Sequence, residues 1–367
     1  MIDTVVLTIN NPSFYSVEYV ELKKRVQTGF SKQYFVPTAK QLAEYGYLPK
    51  FWLVNAVRTG GYQTFLQIEF SVTKLLFGNN FQEVAESDFD QVCLNLQIKL
   101  EKMGLIIHHI NTIKDADVSV IHYSKNIVLQ DYTTPYTYIN ELSKVNLSKA
   151  YDLNQTDYRN EGHALRYRAS GFEVIFYDKM KDLEQAKKSE RRAIGQDNKV
   201  QFDIYERLRL IMPFEVFRME VRLGNKKKIK SVLTGVGFNL SYTFHNLFKV
   251  EISRSILLNV VEKVEAGYPT IISSSNHAEL LNEIITNNPQ KSLSQCLSYM
   301  SALLIINQSG SRELRAIVER FSPTVWYRLN RKLQGFLMNT RDNNIAVIRK
   351  TIEEFEQVEL DSLLIAK

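Results

Sequence analysis

The chain has 367 residues, of which 44% are hydrophobic and 23% charged, with a net charge of +6 and two cysteines. That size and balance exclude wholesale disorder and supply enough apolar side chains for a real core and more than one domain. Cys93 and Cys296 stand far apart without CxxC spacing, which argues against a disulfide framework or a cysteine-held zinc. The opening residues carry no basic leader, and no apolar run is long enough to span a bilayer, so a cytoplasmic protein is expected. The mild basic excess permits a nucleic-acid partner without demanding one.

In chain order, Ile2 to Ile9 is rich in β-branched residues and predicts a strand. Lys50 to Arg58, a turn at Thr59-Gly60-Gly61, and Tyr62 to Ser71 predict a hairpin. In its second arm Leu66, Ile68 and Phe70 alternate with Gln67 and Glu69. Glu69 is a carboxylate in mid-strand, suited to Mg²⁺ or Mn²⁺, or else part of a solvated strand face. Ser87-Asp88 starts a helix in which Phe89, Val92, Leu96, Leu100 and Met103 keep helical spacing, and Gly104 ends it. Val118 to His122 reads as a strand. His122 is a candidate imidazole ligand, with a hydrogen-bonded core histidine as the competing reading. His108 and His109 are adjacent, so on a strand at most one could join a site.

Leu165 to Arg168, Ser170-Gly171 and Phe172 to Tyr177 form a second predicted hairpin. Alternation turns Phe172, Val174 and Phe176 to the core and Glu173, Ile175 and Tyr177 away from it. Tyr177 thus closes a strand beside Asp178 and Lys179. A tyrosine can attack a phosphodiester and hold the strand covalently, but with an ordinary pKa of about 10 it needs a nearby cation. Lys179 falls on its side if the strand continues and diverges if a helix begins at Asp178. A surface tyrosine closing a hairpin is the competing reading. Asp178 to Arg192 is charged and helical in pattern, with Lys187, Lys188, Arg191 and Arg192 as phosphate contacts.

Phe214 to Leu223 is a further strand, turning Met219, Val221 and Leu223 inward. Arg218, Glu220 and Arg222 share its other face, an arrangement suited to ion pairs or to phosphate contacts around a metal-binding glutamate. Lys226, Lys227 and Lys228 follow as further phosphate contacts, and the segment KKKIKSVLTGVG marks a boundary. Beyond about Lys230 strands fade, and segments such as LRAIVERF keep helical spacing. No internal repeat is visible. The expectation is an α+β fold of antiparallel sheet with flanking helices over residues 1–230, then a helical domain over 231–367.

Five segments in this order carry a resemblance: the MIDTVVL start, EFSVTKLLFGNN, the strand ending at His122, FYDKMKDL and RMEVRL. From Met1 to about Val250 the chain resembles the gene II/X replication proteins of filamentous phages and related plasmid rolling-circle initiators. The resemblance implies an HUH-endonuclease-like catalytic domain that nicks one strand at an origin through a 5′-phosphotyrosine and later rejoins it. It implies Tyr177 as nucleophile, Lys179 as its helper, and Mg²⁺ or Mn²⁺ as cofactor. Its partners would be single-stranded and duplex origin DNA, with a host helicase or polymerase, in the bacterial host cytosol and away from membranes. The usual His-hydrophobic-His pair is absent, since Tyr123 and Ser124 follow His122. Glu69, His122 and Glu220 are therefore the candidate metal ligands. Two other functions compete: an origin-binding protein that does not cut, and a metal-dependent nuclease that uses water instead of Tyr177.

Overall fold

A computed structural model describes all residues except 19–22, 28, 29, 36, 59, 60, 130–132, 146, 148–154, 183–202, 205, 208, 209, 211–213, 267–276, 334, 337–343 and 360–367. Among the described residues ten strands form one antiparallel sheet: β1 (Ile2–Ile9), β3 (Lys23–Gln27), β4 (Phe30–Phe35), β5 (Lys50–Arg58), β6 (Gly61–Ser71), β8 (Asp117–Leu129), β9 (Gln155–Arg159), β10 (Ala164–Ala169), β11 (Phe172–Asp178) and β12 (Glu215–Leu223). Their order is β3-β4-β5-β6-β1-β8-β12-β11-β10-β9. Two short strands, β2 (Tyr15–Val17) and β7 (Leu105–Ile107), pair separately.

The order conceals a repeat that the sequence does not display. β1 lies at the centre; the chain then reaches the far edge at β3 and returns through β4, β5 and β6, which closes on β1. β8 lies beside β1; the chain then reaches the opposite edge at β9 and returns through β10, β11 and β12, which closes on β8. Each half also ends by running into a capped helix. Ser71 Oγ accepts from the Lys74 amide at the start of Val72–Phe77, and Asn225 Oδ1 accepts from the Lys228 amide at the start of Lys226–Gly235.

Alternation along the strands sets the two faces. Leu66, Ile68 and Phe70 on β6, Val174 and Phe176 on β11, and Met219, Val221 and Leu223 on β12 are buried on one face. The helix Phe89–Lys102 packs there with Phe89, Val92, Cys93, Leu96 and Leu100 buried, each side chain contributing about 1.5–3 kcal/mol on burial. β8 outruns its expected end at His122 because Tyr123, Ile127 and Leu129 continue the buried alternation. Gly171, at φ 66°, lets the β10–β11 turn close against Asn225, whose side-chain nitrogen lies 2.2 Å from where a Cβ would stand.

The hydrophobic clusters divide the chain elsewhere than at 230/231. The main core continues through Ile252, Leu257 and Val264 and resumes at Ile345, Ile348 and Ile352. A second cluster is built from Leu280, Ile284, Tyr299, Leu303, Trp326 and neighbours within the helices between 277 and 333. Among the described residues after Lys230 the chain is helical, but part of it belongs to the body of the sheet domain. Both cysteines are free and buried. Among the described residues no helix is long and apolar enough to cross a membrane.

Candidate metal centre and tyrosine site

The polar face of the central strands carries the candidate site. In the pairing of β1 with β8, Ile2 stands opposite Tyr123 and Thr4 opposite His122, so Asp3 is an extra residue in a bulge. A bulge re-aims a side chain without ending the strand. Here it turns Asp3 onto the face that holds His122 on β8 and Glu220 on β12. Ligand atoms of Asp3, His122 and Glu220 all lie within 4.8 Å of one another. His122 Nδ1 is 3.3 Å from Glu220 Oε1.

Glu69 does not join them. It occupies the same sheet face on β6, opposite Val6, and pairs with Lys50 at 3.1 Å. In the cluster Asp3 stands where Glu69 was expected. Two carboxylates and an imidazole form an oxygen-rich donor set that fits Mg²⁺ or Mn²⁺. Asp3 is the residue that sequence reasoning passed over. The signal was an aspartate inside a β-branched strand, where aspartate is disfavoured.

Arg218 holds the centre together. It is 2% exposed, and it donates to Asp3 Oδ1 at 2.6 Å, Ser124 Oγ at 2.9 Å, Asn126 Oδ1 at 3.1 Å and the Asn80 carbonyl at 3.0 Å. The expected phosphate contact is thus an interior residue that positions Asp3. Arg222 is more open. It donates to Glu220 at 2.8 Å and lies 3.7 Å from Glu173, so it remains at the rim of the face.

These cations govern the carboxyls. Burial opposes ionisation of Asp3, yet Arg218 beside it holds its carboxyl below the ordinary value. Burial also works against Glu220, but the His122 hydrogen bond, Arg222 and Arg218 outweigh it and hold Glu220 far below the usual range. Both are acids kept ionised in a sheltered site, which is the state a divalent cation requires.

Tyr177, one residue before the end of β11, stands opposite Arg218 on the same face and is half-buried. Burial pushes its phenol well above 10, while Arg218 pulls it back. β11 stops at Asp178, whose carboxylate accepts from the Met180 and Lys181 amides, and residues 179–182 turn into helix. A helical start was the case in which Tyr177 and Lys179 would diverge. The lysine stem bridges the gap, and its ammonium lies 5.7 Å from the Tyr177 ring centre. Lys179 is 1% exposed, and burial, reinforced by Arg218, lowers its pKa to about 7. Phe81, Met180, Phe214 and Val216 form a small apolar cluster on the elements flanking the tyrosine.

Other expected residues fall away from the centre or outside the described structure. Lys187, Lys188, Arg191 and Arg192 lie outside the described residues. Tyr167 is 1% exposed and donates to the Leu142 carbonyl at 3.0 Å, so it is a core residue. His108 lies by the small β2–β7 sheet and contacts the Ser13 carbonyl. Lys226 pairs with Asp117 at 2.7 Å, Lys227 is exposed, and the Lys228 ammonium lies 5.9 Å from the Phe172 ring centre. No family model, curated protein or solved structure matches the chain.

Proposed function

We propose that this protein nicks and rejoins one strand of DNA through Tyr177, as a rolling-circle replication initiator does. The observation that supports this reading best is the sharing of one sheet face by a half-buried tyrosine and a three-ligand acidic and imidazole cluster, with Arg218 between them.

In this reading Tyr177 Oη attacks the scissile phosphorus, the bond from phosphorus to the 3′ oxygen breaks, and a 5′-phosphotyrosine forms. The phenol proton passes to Lys179 in its neutral form, which a pKa of about 7 makes available. The departing 3′ oxygen takes up a proton from solvent water and leaves as a hydroxyl. Rejoining reverses these bonds and needs no external energy source, because the phosphotyrosine conserves the ester bond. Asp3, His122 and Glu220 would hold Mg²⁺ or Mn²⁺, which when bound polarises the phosphate and offsets its charge. Arg218 keeps Asp3 ionised and in place, and Arg222 faces the strand from the rim.

The decisive experiment incubates the protein with a pool of random 40-nucleotide single strands and Mn²⁺, denatures it, and digests the product. The expected result is a nucleotide-bearing peptide that contains Tyr177. An adduct on another tyrosine would reassign the nucleophile. Cleavage without any adduct would replace this reading with a nuclease that uses water at the same cluster.

A further inference from the structure

A second groove lies on the polar face around β4, β5 and β6 and reaches Ser119 and Val120 on β8 and Gly224 to Lys226 beyond β12. β6 presents Phe65, Gln67 and Glu69 on the face where β12 presents Arg218, Glu220 and Arg222. β5 presents Trp52 and Val54 where β11 presents Ile175 and Tyr177. The result is a cavity of about 570 Å³ with an apolar floor of Val6, Val54 and Phe65. That volume is in the range of small-ligand sites.

The walls of this groove are aromatic, amide and charged, with Lys32, Lys226 and the Lys50-paired Glu69 among them. The Trp52 indole N–H donates to Gln67 Oε1, and the Gln67 amide donates to Thr8 Oγ1 at 3.4 Å. Those bonds fix the plane of the ring. The Lys32 ammonium sits over that ring, 3.9 Å from its centre. Lys226, paired with Asp117 at 2.7 Å, lines the other side at the first turn of its helix, and a phosphate would take its place in that pair. A positive charge at a helix N-terminus opposes the helix dipole, so Lys226 adds to a field that favours an anion there.

We propose that this groove binds a nucleotide of single-stranded DNA, with its base stacked on Trp52 and its phosphate between Lys32 and Lys226. A stacked aromatic platform beside cations is how single strands are held without reading their sequence. The base displaces the Lys32 ammonium from the ring, and the ammonium turns to the phosphate. Trp52 on β5 stands five strand spacings from Tyr177 on β11, about 24 Å at roughly 4.8 Å per strand. A strand crossing β1 and β8 therefore spans both places with a few nucleotides. The inference rests on the nicking reading for its choice of DNA, but Trp52 takes no part in the chemistry.

The test uses the full chain carrying Tyr177→Phe, so that no covalent product forms. Fluorescein-labelled oligothymidylate of 20 nucleotides is titrated, and anisotropy and tryptophan fluorescence are followed. Trp52→Ala should weaken binding about tenfold or more, the weight of one stacked base. Trp52→Phe should lose less, because a phenyl ring also stacks. Binding should quench tryptophan emission with Trp52 present, and the quench should vanish in Trp52→Phe, which keeps Trp326. An oligomer of abasic residues should lose the same affinity on the parent and show no added loss on Trp52→Phe beyond that of its ring. Equal affinities across the variants, an unquenched parent at saturation, or binding to duplex alone each overturn the proposal. Should Trp52→Ala not fold, the quench and the abasic oligomer decide it without that variant. A Tyr177 adduct with no Trp52 dependence removes the groove alone. Trp52-dependent binding with no adduct from the parent removes the tyrosine reading alone.

Discussion

The two halves of the sheet share one topology and differ in what they place on its polar face. The half from β8 to β12 buries Arg218, Glu220 and Lys179 beside Tyr177. The half holding β1 and β3 to β6 carries Trp52, Val54, Phe65 and Gln67 there, and its pair Lys50–Glu69 is partly solvated. Hydrogen-bonded topology therefore says little about chemistry. Charges survive in the first half because Arg218 meets a carboxylate, a hydroxyl, an amide and a carbonyl at once. Around Trp52 the charges that the other half keeps, Lys50 and Glu69, stay partly exposed instead.

The sharpest way to break the comparison is to remove one oxygen. Tyr177→Phe should cut adduct formation by at least about 10⁴-fold, the scale of losing a nucleophile, while Tyr167→Phe leaves it intact. Gel analysis of denatured product reads both, and a fully active Tyr177→Phe ends the tyrosine reading.

Arg218→Met comes next. It leaves Asp3 sheltered and unpaired, so a loss of about 3–5 kcal/mol is expected in urea unfolding. Gln67→Ala, in the matching half, should cost only about 1 kcal/mol. Equal losses would mean that the two faces are built alike. The paired carboxyls add a pH signature. Asp3 and Glu220 are held below their ordinary values, so their stabilisation is full above the ordinary carboxylate range and disappears as pH falls through the folded values.

Divalent metal should separate the halves by a smaller amount. Mn²⁺ at about a hundred times its dissociation constant should stabilise the protein by about 2.7 kcal/mol, seen as a raised melting temperature that a chelator reverses. Asp3→Asn should abolish the shift and Glu69→Gln should keep it. The opposite pattern would return Glu69 to the metal.

Lys179 sets a pH dependence. Below about pH 7 it is charged, and nicking should fall about tenfold per unit as the neutral base disappears. Burying its charge destabilises the fold fully below about pH 7, and the cost lifts as pH rises from there toward 10.5. Lys179→Met should therefore flatten the rate profile and raise stability at pH 6. A pH-independent parent would make Lys179 a mere neighbour of the ring.

The smallest effect belongs to Lys226, Lys227 and Lys228. Changing all three to glutamine should weaken every single-stranded DNA similarly and reduce the salt slope by up to about 2. An unchanged slope would return them to plain surface.

Much of this was legible in the sequence. The two hairpins, the strand Ile2–Ile9 and the buried alternation on β11 and β12 follow from period-two patterns and glycine turns. His122 and Glu220 were legible because each interrupts such a pattern with a polar group. Asp3 was not, because its direction depends on a bulge that only the pairing with β8 creates. Arg218 and Arg222 looked equivalent at spacing two; only the packing of residues 80, 124 and 126 makes one interior and the other a rim residue. The repeat was hidden because a shared hydrogen-bonding order leaves the facing residues free to differ.

Arg218 also fixes when the site can exist during synthesis. Its partners sit at positions 3, 80, 124 and 126, so the centre closes only after more than half of the chain has emerged from the ribosome. A nascent or truncated chain ending before β12 has Asp3 and His122 but neither Glu220 nor the guanidinium that holds Asp3. Such a fragment has no assembled centre, so whatever this cluster does waits until the sheet is whole.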